Sequence, residues 1–152
     1  MTDRILLPTD GDPGAEQAIE HAVDLAGILN ATLYVLYVVD ETIYEIYEDE
    51  ELTDAEPGPK AALEKQGEQA LEPIVEEAEA EGIDVEKRMR YGRPADEIVA
   101  EADDIDADLL VLGSRTMPDE YRTQVGSVAD EVMRLTDRSV TVVKTPVPAE
   151  DS

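Results

Sequence analysis

From Gly113 to Asp130 the chain reads Gly-Ser-Arg-Thr-Met-Pro-Asp-Glu-Tyr-Arg-Thr-Gln-Val-Gly-Ser-Val-Ala-Asp. Its last part, Gly126-Ser127 followed by Asp130, is an S-x-x-D pattern that caps a helix. The same atoms suit a second task. A helix N-terminus offers N–H groups without helical partners, Ser127 adds a hydroxyl, and glycine allows close backbone approach, which together can hold a phosphate. Both readings stay open at the level of these residues.

Other chemistry-bearing residues give less. The single histidine, His21, falls within a helical pattern far in sequence from every serine and reads as a surface residue. Asp103, Asp104, Asp106 and Asp108 crowd a helix end, but the central Gly and terminal Glu of a calcium loop are missing, so they read as a solvated face. Without cysteine there are no thiol nucleophiles, disulfides or thiolate metal sites. No G-x-G-x-x-G follows the first strand, and neither a Walker lysine motif nor G-x-S-x-G occurs. Hydrolysis would need a base and a positioned metal, for which only Asp10 and Asp12 stand near a candidate site. No catalytic residue is assigned, and the chain is expected not to be an enzyme.

The elements that must position these residues follow from periodicity. Residues 4–9 (RILLPT) form an apolar strand, after which Asp12 can cap a helix with Pro13 in its first turn. Ala15, Ala18, Ile19, Ala22, Val23, Ala26 and Leu29 make one stripe of that helix, to about residue 30. Residues 32–39 (TLYVLYVV) suit a strand buried on both faces. The acidic stretch 40–60 is expected to be a mobile loop with a helical turn around Tyr44 and Tyr47. A second helix covers about 61–81, kinked at Pro73 and ended by Gly82 in a left-handed conformation. Alternation over residues 83–91 predicts a half-exposed edge strand. Gly92-Arg-Pro94 opens a third helix, residues 109–112 (LLVL) are a central strand, and 113–125 read as a loop. A fourth helix at 127–137 and a strand at 139–144, from Ser139 to Lys144, complete a βαβαβαβαβ order. Such alternation implies an open five-stranded parallel sheet with helices on both faces, whose ligands bind beyond the carboxyl ends of the strands.

Composition bounds the rest. The 152 residues suit one domain, placed at 1–147 with a disordered tail at 148–152. The 38 acidic and 12 basic side chains leave a net charge of −26. Leu, Ile and Val still make up 37 of the 152 residues, about a quarter, which is enough to fold the chain. Carboxylates spread over the whole length resemble the salt-adapted proteins of extreme halophiles, and this charge disfavours nucleic acid and anionic membranes as partners. The N-terminal apolar run is too short for a signal peptide or a membrane span, so a cytoplasmic location is expected.

The chain also resembles the universal stress protein family over nearly its whole length. The matching pieces are Ile5-Leu-Leu-Pro-Thr-Asp-Gly11, Leu36-Tyr-Val-Val-Asp40, Gly92-Arg-Pro94, Ala107-Asp-Leu-Leu-Val-Leu-Gly-Ser-Arg115, Gly126-Ser-Val128 and Ser139-Val-Thr-Val-Val143. Members that bind ATP carry G-x2-G-x9-G-(S/T), of which Gly113, Gly126 and Ser127 are present while Thr116 replaces the middle glycine. The resemblance implies an adenine-nucleotide α-hydrolase-like, Rossmann-like fold with strand order 3-2-1-4-5. It also implies a stress-response regulatory module that binds ATP, with Mg as a companion ion. Pro8, Thr9 and Asp10 would face the adenine with Val38 packing near it, and Gly113, Arg115, Gly126, Ser127 and Val128 would line the phosphate path. Many members dimerise through the last strand, here residues 139–144. The alternative is a family member that has lost nucleotide binding and serves as an interaction module.

Overall fold

A computed structural model describes residues 3–9, 16–40, 59–116 and 127–146. The elements are β1 (Arg4–Thr9), α1 (Glu16–Leu29), β2 (Thr32–Asp40), α2 (Pro59–Ala80), β3 (Val85–Gly92), α3 (Pro94–Ile105), β4 (Leu109–Thr116), α4 (Ser127–Leu135) and β5 (Ser139–Pro146). Among the described residues all strand pairings are parallel and the sheet order is β3-β2-β1-β4-β5, as expected.

The side-chain alternation of the strands builds two cores. On β1, Ile5 and Leu7 join Leu33, Val35 and Val111 beneath α1 and α2, which contribute Ala22, Val23, Leu71 and Ile74. Leu6 points the other way and joins Leu36, Leu110 and Leu112 beneath α3 and α4, with Ile98, Ala102 and Val132. Both faces of the central strands are therefore apolar, which is why β2 and β4 read as continuous hydrophobic runs.

Several boundaries differ from the sequence reading. Strand β4 continues through Gly113 to Thr116, because β5 runs beside it to Pro146 and pairs with all eight of its residues. The stretch read as a loop from 113 therefore begins as strand, and β5 is two residues longer than 139–144. Helix α2 starts at Pro59 and stays helical across Pro73. Helix α4 ends at Leu135, short of 137. In β3 the alternation is imperfect: Tyr91 is 42% exposed, whereas Arg88 and Arg90 are half-buried by ion pairs. Leu29, read as part of the α1 stripe, is exposed. Gly82 ends the turn after α2 with φ of +77°, as predicted. The helix cap at Asp12, the turn at Tyr44 and Tyr47, most of the 40–60 stretch and the 148–152 tail lie outside the described residues.

Candidate functional site

Parallel strands deliver all their carboxyl ends to one edge of the sheet, and there the ladder between β1 and β4 is short. β1 pairs with β2 over six residue pairs, from Arg4 opposite Thr32 to Thr9 opposite Tyr37. It pairs with β4 over only two, Ile5 with Leu109 and Leu6 with Leu110. Chain order reverses between these strands, since the connection from β1 leads outward to β2 on one side while β4 lies on the other. Past Leu6 and Leu110 the two strands are no longer laddered, which is the place where open α/β sheets hold ligands.

The amino ends are correspondingly pinned. The Asp108 amide donates to the Arg4 carbonyl at 2.9 Å. The Asp108 carboxylate accepts from the Asp3 and Arg4 amides at 2.8 and 3.1 Å, and these donors hold it below the ordinary carboxylate range. The crevice is thus closed at one end of β1 and β4 and open at the other.

Pro8 and Thr9 are half-buried at the open end of β1, and Val38 is half-buried in β2 opposite Arg90. Gly113 is exposed in β4 opposite Val143, and Arg115 occupies a ladder position opposite Thr145. Ser127 begins α4, and the neighbouring Val128 is 38% exposed. Asp10 and Gly126 lie outside the described residues. The expected site residues that are described thus belong to the carboxyl edge or to the helix that starts there. His21 is exposed on α1, as read from the sequence. Among the described residues no group of three or more His, Asp or Glu side chains is placed to hold a metal ion.

One buried ion-pair cluster, between α3 and β3, was not anticipated. Glu101 of α3 is only 5% exposed. It receives Arg90 Nη1 at 2.8 Å and lies 3.3 Å from Arg88 Nε, which is buried and too poorly aligned for a hydrogen bond. Arg90 also reaches Glu97 at 2.8 Å and Asp104 at 3.0 Å, and the carboxylates of Glu97 and Glu101 hold its guanidinium above its ordinary value. Arg88 stacks over Tyr34, 5.3 Å from the ring centroid. Glu97 in turn packs on Gly92, whose φ is +146°. A Cβ there would come within 2.6 Å of Glu97 Oε2, so Gly92 is needed both for its conformation and for this contact.

Asp103, Asp104 and Asp106 are exposed, as a solvated face should be, with side chains 62%, 68% and 79% accessible, and each also meets an arginine. Asp103 and Asp106 each hold Arg138 at 3.1 Å, Asp104 holds Arg90, and Asp108 takes the β1 amides. The signal in the sequence was opposite charge on adjoining elements, Arg88 and Arg90 two apart on a strand and Glu97, Glu101 and Asp104 at helical spacing. Which charges meet depends on the rotation of α3 over the sheet. A shallow depression lined by Thr32, Glu79, Gly82, Ile83, Asp84, Val85 and Glu86 lies at the amino ends of β2 and β3. Its lining holds three carboxylates and no cation, which does not suit an anionic ligand.

Comparison with known proteins adds the lineage. Residues 1–144 match the universal stress protein family. The chain is 34% identical over 146 residues to the universal stress protein MJ0531 of Methanocaldococcus jannaschii, covering 94% of this chain and 82% of that one. Among solved structures, the hypothetical protein MJ0577 is similar with a TM-score of 0.78 at 29% identity, covering 95% and 96% of the two chains. A universal stress protein in complex with cAMP aligns with a TM-score of 0.69 at 25% identity, over 95% and 98%. No described helix is long and apolar enough to cross a membrane. With its five-stranded parallel order, its crevice beside β1 and this match along almost the whole sequence, the chain belongs to the universal stress protein family.

Proposed function

We propose that this chain is a cytoplasmic regulatory module that binds an adenine nucleotide at the carboxyl edge of its sheet. The observation that carries the reading is the early end of the β1–β4 ladder at Leu6 and Leu110. It leaves an open crevice bordered by Thr9, Val38 and the strand from Gly113 to Thr116, and α4 starts on the same side. The similarity to a stress protein that holds cAMP supports an adenine nucleotide over other ligands. ATP, with Mg, is the form implied by the retained Gly113, Gly126 and Ser127.

Purification in molar KCl followed by mass spectrometry of the denatured supernatant tests the reading. Bound adenine nucleotide is the expected result, and its absence together with no uptake of added nucleotide would favour an interaction module. Ser127→Ala should then weaken binding by removing a hydroxyl, and Thr116→Gly should strengthen it by freeing the strand end.

The same reading includes a homodimer through β5. The two sheet edges differ: β3 carries Glu86, Lys87, Arg88 and Arg90, whereas β5 carries Val140, Val142 and Val143. Charged edges resist further pairing and apolar ones invite it. A two-fold β5 contact would satisfy both strands in one closed interface. Light scattering in molar KCl should give a dimeric mass, lost in Val142→Lys.

A further inference from the structure

Helix α2 carries the signature of a helix start in its middle. Pro73 is followed by Glu76 and Glu77, and a proline in the first turn with carboxylates close behind it is the pattern that opens a helix. Inside the continuous helix the same proline is a defect. It has no N–H to give the Gln69 carbonyl, and its ring crowds that group.

The two sides of Pro73 are held differently. Leu71, Ile74 and Ala78 are buried in the core beneath α1 and α2, and Val75 packs against it. Among the described residues 61–70 none belongs to that cluster. This stretch rests on the sheet through a glycine: a Cβ at Gly67 would come within 2.6 Å of Met89 Cε and of Tyr37 Cδ2, so the helix backbone itself lies on those side chains. At the surface the Tyr91 hydroxyl donates to Glu64, and Lys87 Nζ stands 3.5 Å from both Glu68 and Glu72. Exposed polar ties of this kind add little each.

We propose that α2 is a strap in two parts: residues 74–80 stay fixed in the core while residues 59–70 release from β2 and β3 and unwind, with Pro73 at the hinge and the Tyr91–Glu64 bond as a latch. Once off the sheet, a stretch of about a dozen residues is too short to stay helical in water. Pro73 favours the release because it then occupies the first turn of the shorter helix, where its missing N–H costs nothing. Release bares Tyr37 and Met89. Tyr37 is the ladder partner of Thr9 at the open end of the crevice, so the moving part borders the candidate site.

Amide hydrogen exchange of the full chain in molar KCl, read by mass spectrometry of peptic peptides, tests the strap. Relative to free-peptide rates, amides of 63–70 should exchange at least about 100-fold faster than those of 77–83, since a local opening serves the first and global unfolding the second. Urea below the unfolding transition should speed 77–83 steeply and 63–70 only slightly, because each rate follows the surface its opening exposes. Tyr91→Phe should speed 63–70 about fivefold by removing the latch. Pro73→Ala should slow it at least about tenfold, as the closed helix regains a bond and the open one loses its favoured start. Equal protection of the two stretches, a parallel urea response, or exchange of 63–70 at the free-peptide rate would overturn the proposal. A Pro73→Ala variant whose 63–70 amides exchange no more slowly would overturn it as well.

Discussion

Replacing Glu101 by alanine should be among the most costly single changes on the α3 face of the sheet. Its carboxylate is buried, with Arg90 Nη1 at 2.8 Å and Arg88 Nε at 3.3 Å. Removing one partner of a buried ion pair costs about 3–5 kcal/mol, because the other charge is left without compensation. Arg90 retains Glu97 and Asp104 and is about a quarter exposed, which lowers the penalty, whereas Arg88 Nε is buried and raises it. We expect about 3 kcal/mol for Glu101→Ala and about 1 kcal/mol for Glu101→Gln, which keeps one acceptor. For a domain of this length 3 kcal/mol corresponds to a Tm lower by about 6–12 °C. Asp104→Asn is the control, since Asp104 is 68% exposed on its side chain and should cost about 0.5 kcal/mol or less. Urea unfolding in molar KCl is the assay: urea is uncharged, and a buried pair is screened far less than a surface one. A Glu101→Ala variant no less stable than Asp104→Asn would refute the reasoning.

Two further predictions concern charge. Stability should rise with KCl because folding crowds carboxylates. One seam is visible where Glu77 of α2 is pushed up by burial and then by Glu20, Glu81, Asp24 and Glu16. Glu77→Gln should stabilise by about 0.3 kcal/mol in dilute buffer and by nothing measurable in molar salt, and a Tm independent of salt would remove the halophilic reading. The Tyr91 hydroxyl donates to Glu64, and this bond, with some burial, pushes its pKa up to about 12 from the ordinary 10.0. A raised pKa stabilises while the phenol is protonated, so the contribution is full below pH 10 and is lost as pH rises through 12. At 42% exposure it should be worth about 1 kcal/mol at most after solvent screening. Thermal melts from pH 9 to 12 should show wild type converging on Tyr91→Phe, and parallel curves would contradict the bond.

Much of the architecture was legible in the residues because it follows from local periodicity. Continuous apolar runs at β2 and β4, helical stripes between strands and the charged alternation of β3 were enough for a parallel sheet with β3 at an edge. The family resemblance supplied the strand order and the residues expected around the ligand. What the residues could not decide were the long-range matters. Where β4 ends depends on how far β5 runs beside it, so Gly113 read as loop and is strand. Asp103, Asp104 and Asp106 are solvated as read, but their partners Arg90 and Arg138, and the β1 amides that Asp108 accepts from, come from elements distant in sequence. Glu101 resembled any other helix glutamate until α3 was rotated onto the sheet and buried it against two arginines. Periodicity records which face of an element is apolar, but the pairing of charges and the length of a ladder are set by neighbours distant in sequence, and those exist only once the chain has folded.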